Sequence, residues 1–262
     1  MVSAMQQKLV VANFKMNLST RVELDHWLSS FINAKRNIKL RHTKLILCPP
    51  ALYLDKFVSR ARDSFIDFGV QNCFWRDKGA YTGEISPTAA KAIEAEYVIL
   101  GHSERRKYLG ETDEIVAYKI NAALKARLRP IVCVGENAEQ KKSDQLMEVV
   151  ISQLRNCLTQ TSKGLVEEII FCYEPVWAIS ANNPDHLPTA NEIMGAKLLI
   201  KKYLTEVYGK NVAQRVKVIY GGSVDSKNLK EVCIDPGMDG VLVGSASLMP
   251  YEIVKVCQGI DE

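Results

Sequence analysis

Eight short apolar runs alternate with longer amphipathic segments along the whole chain. Runs such as Tyr97–Leu100 are almost entirely apolar, which is typical of parallel strands buried on both faces. Eight strand–helix units without an obvious linker predict an α/β fold, a (β/α)8 barrel that forms one domain over residues 1–262. The predicted strands are Lys8–Asn13, Lys44–Cys48, Ile66–Gln71, Tyr97–Gly101, Pro130–Gly135, Glu168–Glu174, Val216–Tyr220 and Gly240–Gly244.

A doubly wound open sheet is the main alternative to the barrel. Such a sheet usually has a glycine-rich fingerprint directly after its first strand. The segment Ala12–Lys15 contains no glycine, so the barrel is favoured.

Helical patterns lie between the predicted strands, and two serines are placed where helix N-caps are expected. These serines are Ser86, which precedes a proline, and Ser247. The four longest helical patterns are Thr20–Asn33, Asp113–Leu128, Ser143–Leu158 and Ala190–Tyr208.

Charge and cysteine usage argue against several functional classes. The 34 basic and 30 acidic residues give a net charge of +4, and the basic residues are scattered, so no nucleic-acid partner is expected. No apolar run approaches the ~20 residues that span a bilayer, and residues 1–5 lack the features of a signal peptide. The seven cysteines form no CxxC pair and the four histidines show no ligand spacing. We therefore expect a cytoplasmic protein with reduced thiols, no metal and no membrane partner.

Polar and glycine residues collect at the carboxyl end of nearly every predicted strand. In a barrel these ends form one face, and active sites lie on that face. The sequence therefore predicts a functional site there. Its candidate residues are Asn13, Lys15, Gln71, Asn72, His102, Glu104, Gly135, Glu136, Glu174, Gly221, Gly222, Ser223, Gly244 and Ser245.

Glu174 ends the apolar run Ile169–Tyr173 and is followed directly by Pro175. A carboxylate at the end of a buried strand is costly unless it has a partner or a function. Proline ends the strand and stiffens the segment that follows. We interpret Glu174 as a catalytic base at the start of a mobile segment, residues 175–188, which we call the lid.

Two glycine-containing loops, Gly221–Ser223 and Gly244–Ser247, follow the last two predicted strands. Glycine lets the backbone approach a ligand closely, and successive N–H groups before a helix suit a phosphate. The last two βα loops are also the usual phosphate site of such barrels. Two tight turns are the simpler interpretation, but the repetition in consecutive units favours phosphate binding.

Lys15, His102 and Glu104 complete a set of groups for proton transfer. N–H groups at a helix start are expected to keep the His102 imidazole neutral, so that it donates to a developing oxyanion. Glu104 is expected to pair with Lys15. The plainer alternatives are a capping histidine and a solvated lysine. With Glu174 as base, the set predicts an aldose–ketose isomerase that acts on a small phosphorylated sugar without a cofactor.

Eight motifs carry a resemblance to a known family, in that family's order along the chain: Asn13–Asn17, Gln71–Asn72, Gly79–Ser86, Ile99–Arg106, Cys133–Glu136, Tyr173–Ile179, Tyr220–Val224 and Leu242–Gly244. They resemble the motifs of triosephosphate isomerases over essentially the whole chain. The resemblance implies a TIM barrel that interconverts dihydroxyacetone phosphate and D-glyceraldehyde 3-phosphate in glycolysis and gluconeogenesis.

The resemblance also implies roles for single residues. Glu174 would be the base, His102 the electrophile, and Lys15 and Asn13 contacts to the substrate and its oxyanion. Glu104 would orient Lys15. Cys133 would support the site, although a packed core thiol is the simpler interpretation. The residues expected to hold the phosphate are Ser180, Gly222, Ser223, Gly244 and Ser245.

A homodimer is the third implication, and the loop of residues 72–86 gives a physical reason to expect it. The loop is long and carries Phe74, Trp75 and Tyr81. Aromatic residues at that density favour an interface. Thr82 would reach toward the partner's active site.

The tip of the lid departs from the family pattern. After Ile179 the family continues Gly-Thr-Gly-Lys, whereas this chain has residues 180–188 with Ser180, Pro184 and Pro188. If lid closure needs a positive φ at Ser180, the side chain costs about 1 kcal/mol. Ser245 also replaces a usual glycine. Two alternatives therefore stay open: an isomerase of a phosphorylated tetrulose, and a weakly active phosphate-binding relative.

Overall fold

The computed structural model describes residues 7–182 and 186–261. Its eight strands are all parallel and follow the chain order β1 to β8 around a closed barrel. The ring closes where β8 pairs with β1, from Leu9 opposite Gly240 to Ala12 opposite Val243. This confirms the predicted (β/α)8 barrel. The strands are β1 Lys8–Asn13, β2 Thr43–Cys48, β3 Ile66–Val70, β4 Tyr97–Leu100, β5 Arg129–Val134, β6 Ile170–Tyr173, β7 Lys217–Tyr220 and β8 Gly240–Val243.

Helices cover the outside of the barrel, and their starts follow from local sequence. Thr20 and Thr189 each form a capping box with the glutamate three residues later, which satisfies backbone N–H groups that have no partner within the helix. The helices are α1 Arg21–Lys35, α2 Leu54–Ala61, α3 Pro87–Ala92, α4 Ser103–Leu109, α5 Asp113–Lys125, α6 Ala138–Lys142, α7 Leu146–Cys157, α8 Ala190–Tyr208, α9 Lys210–Arg215 and α10 Pro250–Asp261. No helix within the described ranges is long and apolar enough to cross a membrane.

One of the two predicted N-caps is confirmed and the other is wrong. The Ser86 hydroxyl accepts the Ala89 N–H at the start of α3. Ser247 instead lies in a short turn, Ser245–Leu248. Its hydroxyl donates to the Val243 carbonyl at 2.7 Å, and α10 begins only at Pro250. The serine therefore fastens the turn after β8 to its own strand.

Most of the other boundaries differ by one to three residues, and in two of these cases a short local element is the cause. β6 begins at Ile170 rather than Glu168, because Lys163–Glu168 forms a 3-10 turn. The predicted helix Ser143–Leu158 is shorter, since α6 ends at Lys142 and α7 begins at Leu146.

The core has two parts separated by the strands. The larger part lies between the barrel and its helices, and includes Phe14, Trp27 and Phe31. The smaller part fills the barrel itself with branched aliphatic side chains, leucines, one tyrosine and thiols. This interior makes the barrel a packed core that supports the residues at its carboxyl face.

Barrel closure should depend on Gly240. Its φ of +152° disfavours a side chain, and a Cβ atom there would lie 2.0 Å from the Leu9 carbonyl oxygen. We expect Gly240→Ala to lower the free energy of unfolding by about 3 kcal/mol or more, because strain and backbone displacement both contribute. Urea denaturation followed by circular dichroism measures the change.

Gly164→Ala is the matched control, because a Cβ atom at Gly164 meets nothing within 4 Å. Equal stability of the two variants would contradict the importance of the Gly240 contact.

Candidate active site

A cavity of about 310 Å³ opens at the carboxyl ends of the strands. It brings together residues from β1, the β4 loop, the β6 loop and the last two loops. Most of the predicted site residues line it, namely Asn13, Lys15, His102, Glu104, Glu174, Ser180, Gly221, Gly222, Gly244 and Ser245.

Lys15 enters the cavity from a strained backbone turn after β1. Its φ is +53°, a value uncommon for a non-glycine residue. The Lys15 N–H donates to the Asn13 side-chain oxygen at 3.0 Å, and its carbonyl accepts from Gln71 at 2.9 Å. The ammonium group lies 2.7 Å from Glu104 Oε1, so the expected ion pair is present. These contacts hold a cation in one place beside the cavity.

His102 caps the start of α4 with its ring. The Glu104 backbone N–H donates to His102 Nδ1 at 3.3 Å, so Nδ1 is an acceptor and carries no proton. The remaining proton of a neutral imidazole then lies on Nε2. His102 Nε2 is 3.0 Å from Glu174 Oε1. The helix start therefore fixes both the tautomer and the direction of the N–H group.

Glu174 is almost fully buried at the end of β6, where an unpaired carboxylate would be costly. Its burial is compensated by Ser103, whose N–H and hydroxyl each donate at 3.0 Å. Gly135 on the neighbouring strand end makes room for this position, because a Cβ atom there would lie 2.1 Å from the Glu174 carbonyl oxygen.

The first residues of the lid are hydrogen-bonded to a second buried carboxyl group. Glu136 accepts hydrogen bonds from Trp177 Nε1 at 2.7 Å and from the Tyr173 hydroxyl at 3.2 Å. Burial raises the pKa of Glu136 above its ordinary value, although both donors oppose the shift. Lys141 lies 5.2 Å from the centre of the Trp177 ring.

The loops after β7 and β8 approach the cavity from the side opposite His102. A Cβ atom at Gly222 would lie 2.1 Å from the Tyr220 hydroxyl oxygen, so the close packing of this loop requires glycine. Gly244 lies beside the Lys15 side chain, and Ser245 is exposed. Ser223 does not line the cavity; its N–H and hydroxyl both donate to the Ala178 carbonyl, at 3.1 and 2.9 Å.

Three further predicted residues lie away from the cavity. Cys133 is inside the barrel, where the neighbouring Cys172 thiol, burial and the charge of Glu174 raise its pKa well above the ordinary value. Trp75 and Thr82 lie in the loop of residues 72–86.

The lid tip is described only in part. Ser180 begins a turn, Ser180–Asn182, and is not among the described non-glycine residues with positive φ. Pro184 falls outside the described residues. The strain considered for Ser180 in a closed lid is therefore not present in this arrangement.

A metal centre finds no support in residues 7–182 and 186–261. Within these ranges, no group of three or more histidine, cysteine, aspartate or glutamate side chains could hold a metal ion.

The chain is similar in sequence to known proteins along the whole barrel. The family model "Triosephosphate isomerase" matches residues 8–260. The chain is 40% identical over 254 residues to the triosephosphate isomerase of Dictyoglomus thermophilum, which covers 96% of this chain and 100% of that protein. The chain belongs to the triosephosphate isomerase family. It is also 38% identical over 259 residues to the family member of Dehalococcoides mccartyi, with 97% of this chain and 96% of that protein covered. A Thermoanaerobacter relative is 37% identical over 252 residues, with 96% and 99% covered.

Sequence reasoning missed Ser103, which holds the Glu174 carboxylate in this member of the triosephosphate isomerase family. It also missed the role of Glu111. The Glu111 carboxylate accepts from the Gly101 N–H at 3.2 Å, from Arg105 at 2.7 Å and from Lys119 at 2.7 Å. The only signal for Ser103 was its position next to His102. Nothing in the spacing indicated that Glu111 reaches back to the strand end that carries His102.

Burial disfavours the charge on Glu111, but the hydrogen bonds and charges of Lys119 and Arg105 outweigh it and hold its pKa below the ordinary value of 4.5. Lys119 also donates to Asn72 at 2.8 Å, so the cluster joins the β3 loop to the β4 loop. Glu111 and Lys119 are both nearly inaccessible to solvent. The charged form of Glu111 therefore stabilises the fold above pH 4.5, and this contribution is lost as the pH falls.

Removing Lys119 should leave the Glu111 carboxylate with too little positive charge in a buried place. We expect Lys119→Met to lower the free energy of unfolding at pH 7 by about 3 kcal/mol. The deficit should narrow below pH 4.5, because protonation of Glu111 removes the charge. Denaturant titrations at several pH values measure both effects.

The control is Lys125→Met on the exposed side of the same helix, which should change stability little. A deficit in Lys119→Met that does not vary with pH would argue against the electrostatic cause.

Proposed function

We propose that this protein interconverts dihydroxyacetone phosphate and D-glyceraldehyde 3-phosphate through an enediolate, as a cytoplasmic enzyme of glycolysis and gluconeogenesis. The main supporting observation is the position of the buried Glu174 carboxylate, 3.0 Å from His102 Nε2 in the cavity that Lys15 also lines. The membership of the triosephosphate isomerase family supports the same activity.

Glu174 would be the base that moves a proton between the two substrate carbons. Its oxygens are occupied here by the N–H and hydroxyl of Ser103 and by His102. A base must present a free oxygen to the C–H bond, so the carboxylate must leave Ser103 when substrate enters. Pro175, next in the chain, links this movement to the lid.

His102 and Lys15 would stabilise the negative charge that develops on the substrate oxygens. His102 offers its Nε2 hydrogen as a neutral donor, while the Lys15 ammonium supplies positive charge at the cavity wall. Glu104 orients Lys15, and Asn13 fixes the turn that carries it. A carboxylate base paired with a neutral histidine is the established division of roles in triosephosphate isomerases, and the short distance between Glu174 and His102 supports the same division here.

The substrate phosphate would lie against the loops after β7 and β8. Backbone N–H groups near Gly222, Gly244 and Ser245 can converge there, and the lid contributes Ser180. Phosphate contacts far from the reacting carbons supply binding energy that positions the substrate. Ser223 can join them only after leaving Ala178.

Replacing the base without changing its shape should abolish most of the activity. We expect Glu174→Gln to lower kcat by ~10² or more, because an amide cannot accept the proton. A coupled assay with D-glyceraldehyde 3-phosphate measures the loss. Glu139→Gln, an exposed glutamate on the same face of the barrel, is the control and should keep its activity. Unchanged turnover in Glu174→Gln would remove Glu174 from the mechanism.

The same assay with erythrulose phosphates tests the choice of substrate. A larger kcat/KM for the triose supports the proposed reaction. A larger value for the tetrulose would show that residues 180–188 and Ser245 have changed the specificity.

We further propose that the protein works as a homodimer through the loop of residues 72–86. Phe74 is buried against Trp75 and Tyr81, whereas residues 76–84, including Thr82, are exposed. Three other apolar side chains protrude from the segments that follow β1, β2 and β4, namely Met16, Leu52 and Tyr108, which are 96%, 91% and 69% exposed. Clusters of exposed apolar residues favour an interface.

A charge at this surface should separate the subunits without disturbing the barrel. We expect Met16→Arg to shift the protein toward monomer, because the arginine would have to be buried in the interface. Analytical ultracentrifugation measures the mass. Met147→Arg is the matched control, since Met147 is 67% exposed on α7. A Met16→Arg protein that remains dimeric, or a wild-type monomer, would contradict the proposed interface.

A further inference from the structure

A pair of serine hydroxyls joins the lid to the loop after β7. Ser180 Oγ lies 2.7 Å from Ser223 Oγ. Ser180 begins the lid turn Ser180–Asn182, and Ser223 directly follows Gly222. The family pattern has glycine at the position of Ser180, so this contact depends on a side chain that the pattern does not supply.

The direction of the hydrogen bond follows from the other contacts of Ser223. Its hydroxyl donates to the Ala178 carbonyl at 2.9 Å. A hydroxyl has only one hydrogen, so Ser223 Oγ must accept from Ser180. The Ser223 N–H also donates to Ala178, at 3.1 Å. Every donor of Ser223 is therefore directed at the lid, and the Ser180 hydroxyl completes the arrangement.

These contacts compete with phosphate binding. Ser223 belongs to the loop that would hold the substrate phosphate, yet it does not line the cavity in this arrangement. Its N–H cannot turn to a phosphate while it donates to Ala178. The Ser180 hydroxyl stabilises this engaged state by one further hydrogen bond.

We infer that the Ser180 hydroxyl is a positioning group that holds the lid on Ser223 while the phosphate site is empty, and so weakens the binding of phosphorylated ligands. The inference rests on the proposed function, because it treats the cavity as the phosphate site. A phosphate that enters the cavity must displace the Ser180–Ser223 bond before both residues can turn to it. A protein with glycine at position 180 has no such hydrogen bond to break when phosphate binds.

A different role for the hydroxyl would have the opposite effect. If Ser180 Oγ were a ligand of the bound phosphate, its removal would weaken binding. The geometry favours the first role, because the only hydrogen of the Ser180 hydroxyl is already donated to Ser223 and the neighbouring Ser223 donors are withheld with it.

The test is the affinity for 2-phosphoglycolate, a small phosphorylated acid whose carboxylate resembles the enediolate in shape and charge. We expect Ser180→Ala to bind it about threefold to tenfold more tightly than wild type, as loss of one hydrogen bond from the empty state predicts. Isothermal titration calorimetry measures the dissociation constants. KM should fall in parallel, whereas kcat should not rise, because the lost hydrogen bond belongs to the ligand-free protein and not to the complex with substrate. Weaker or unchanged binding by Ser180→Ala would overturn the inference.

Two further variants separate this contact from general effects of the pocket. Ser245 is an exposed residue that also lines the cavity. Its hydroxyl makes no hydrogen bond with residues 7–182 or 186–261. Ser245→Ala should therefore not tighten the binding of 2-phosphoglycolate. In a Ser223→Ala background, the effect of Ser180→Ala should disappear, because the acceptor is gone. Full persistence of the effect there, or an equal gain in Ser245→Ala, would show that the hydroxyl pair is not its cause.

Failure of the proposed function would look different. A wild-type protein that does not isomerise the triose, but whose 2-phosphoglycolate affinity rises in Ser180→Ala, would contradict the isomerase and support the lid contact. If the wild type isomerises the triose but Ser180→Ala leaves the 2-phosphoglycolate affinity unchanged, the isomerase is supported and the lid contact is contradicted.

Discussion

Closure of the sheet between β8 and β1 is the constraint on which the active site depends. Gly240 lies against the Leu9 backbone more closely than any side chain permits, and this contact completes the ring. In the closed ring, strand ends that are far apart in sequence become neighbours. Lys15, His102 and Glu174 come from three different strand ends, and the barrel alone brings them around one cavity.

The site is also an arrangement of buried carboxyl groups, each held by particular hydrogen-bond donors. Glu174 is held by Ser103 and His102, while Glu136 is held by Tyr173 and Trp177. The two carboxylates lie at adjacent strand ends, but their donors differ in consequence. The donors of Glu174 belong to the start of α4, whereas Trp177 belongs to the lid. A movement of Trp177 therefore changes the environment of Glu136, but it leaves the donors of Glu174 in place.

Much of this arrangement could be predicted from the sequence, because the period of apolar residues and the polar strand ends are local signals. β1 and α8 were predicted with their observed bounds. The predicted bounds of β6 and α7 differ from the observed ones, because a 3-10 turn and a short helix occupy some of the same residues. The cavity residues were found because strand ends converge in any barrel. The Glu111 cluster and the direction of Ser223 were not, because they depend on side-chain rotamers and lid backbone, which no spacing in the sequence determines.

The seven free cysteines are all buried, and burial raises the pKa of thiols such as Cys73 and Cys157 to about 12. Alkylating reagents need an accessible thiolate, so the native thiols of the folded protein should react with them very slowly. The speed at which a large excess of reagent labels the protein is then set by how often the barrel opens. The labelling rate of the native thiols thus reports the rate at which the barrel opens. A single cysteine introduced on the surface could be labelled selectively without removing any of the native cysteines.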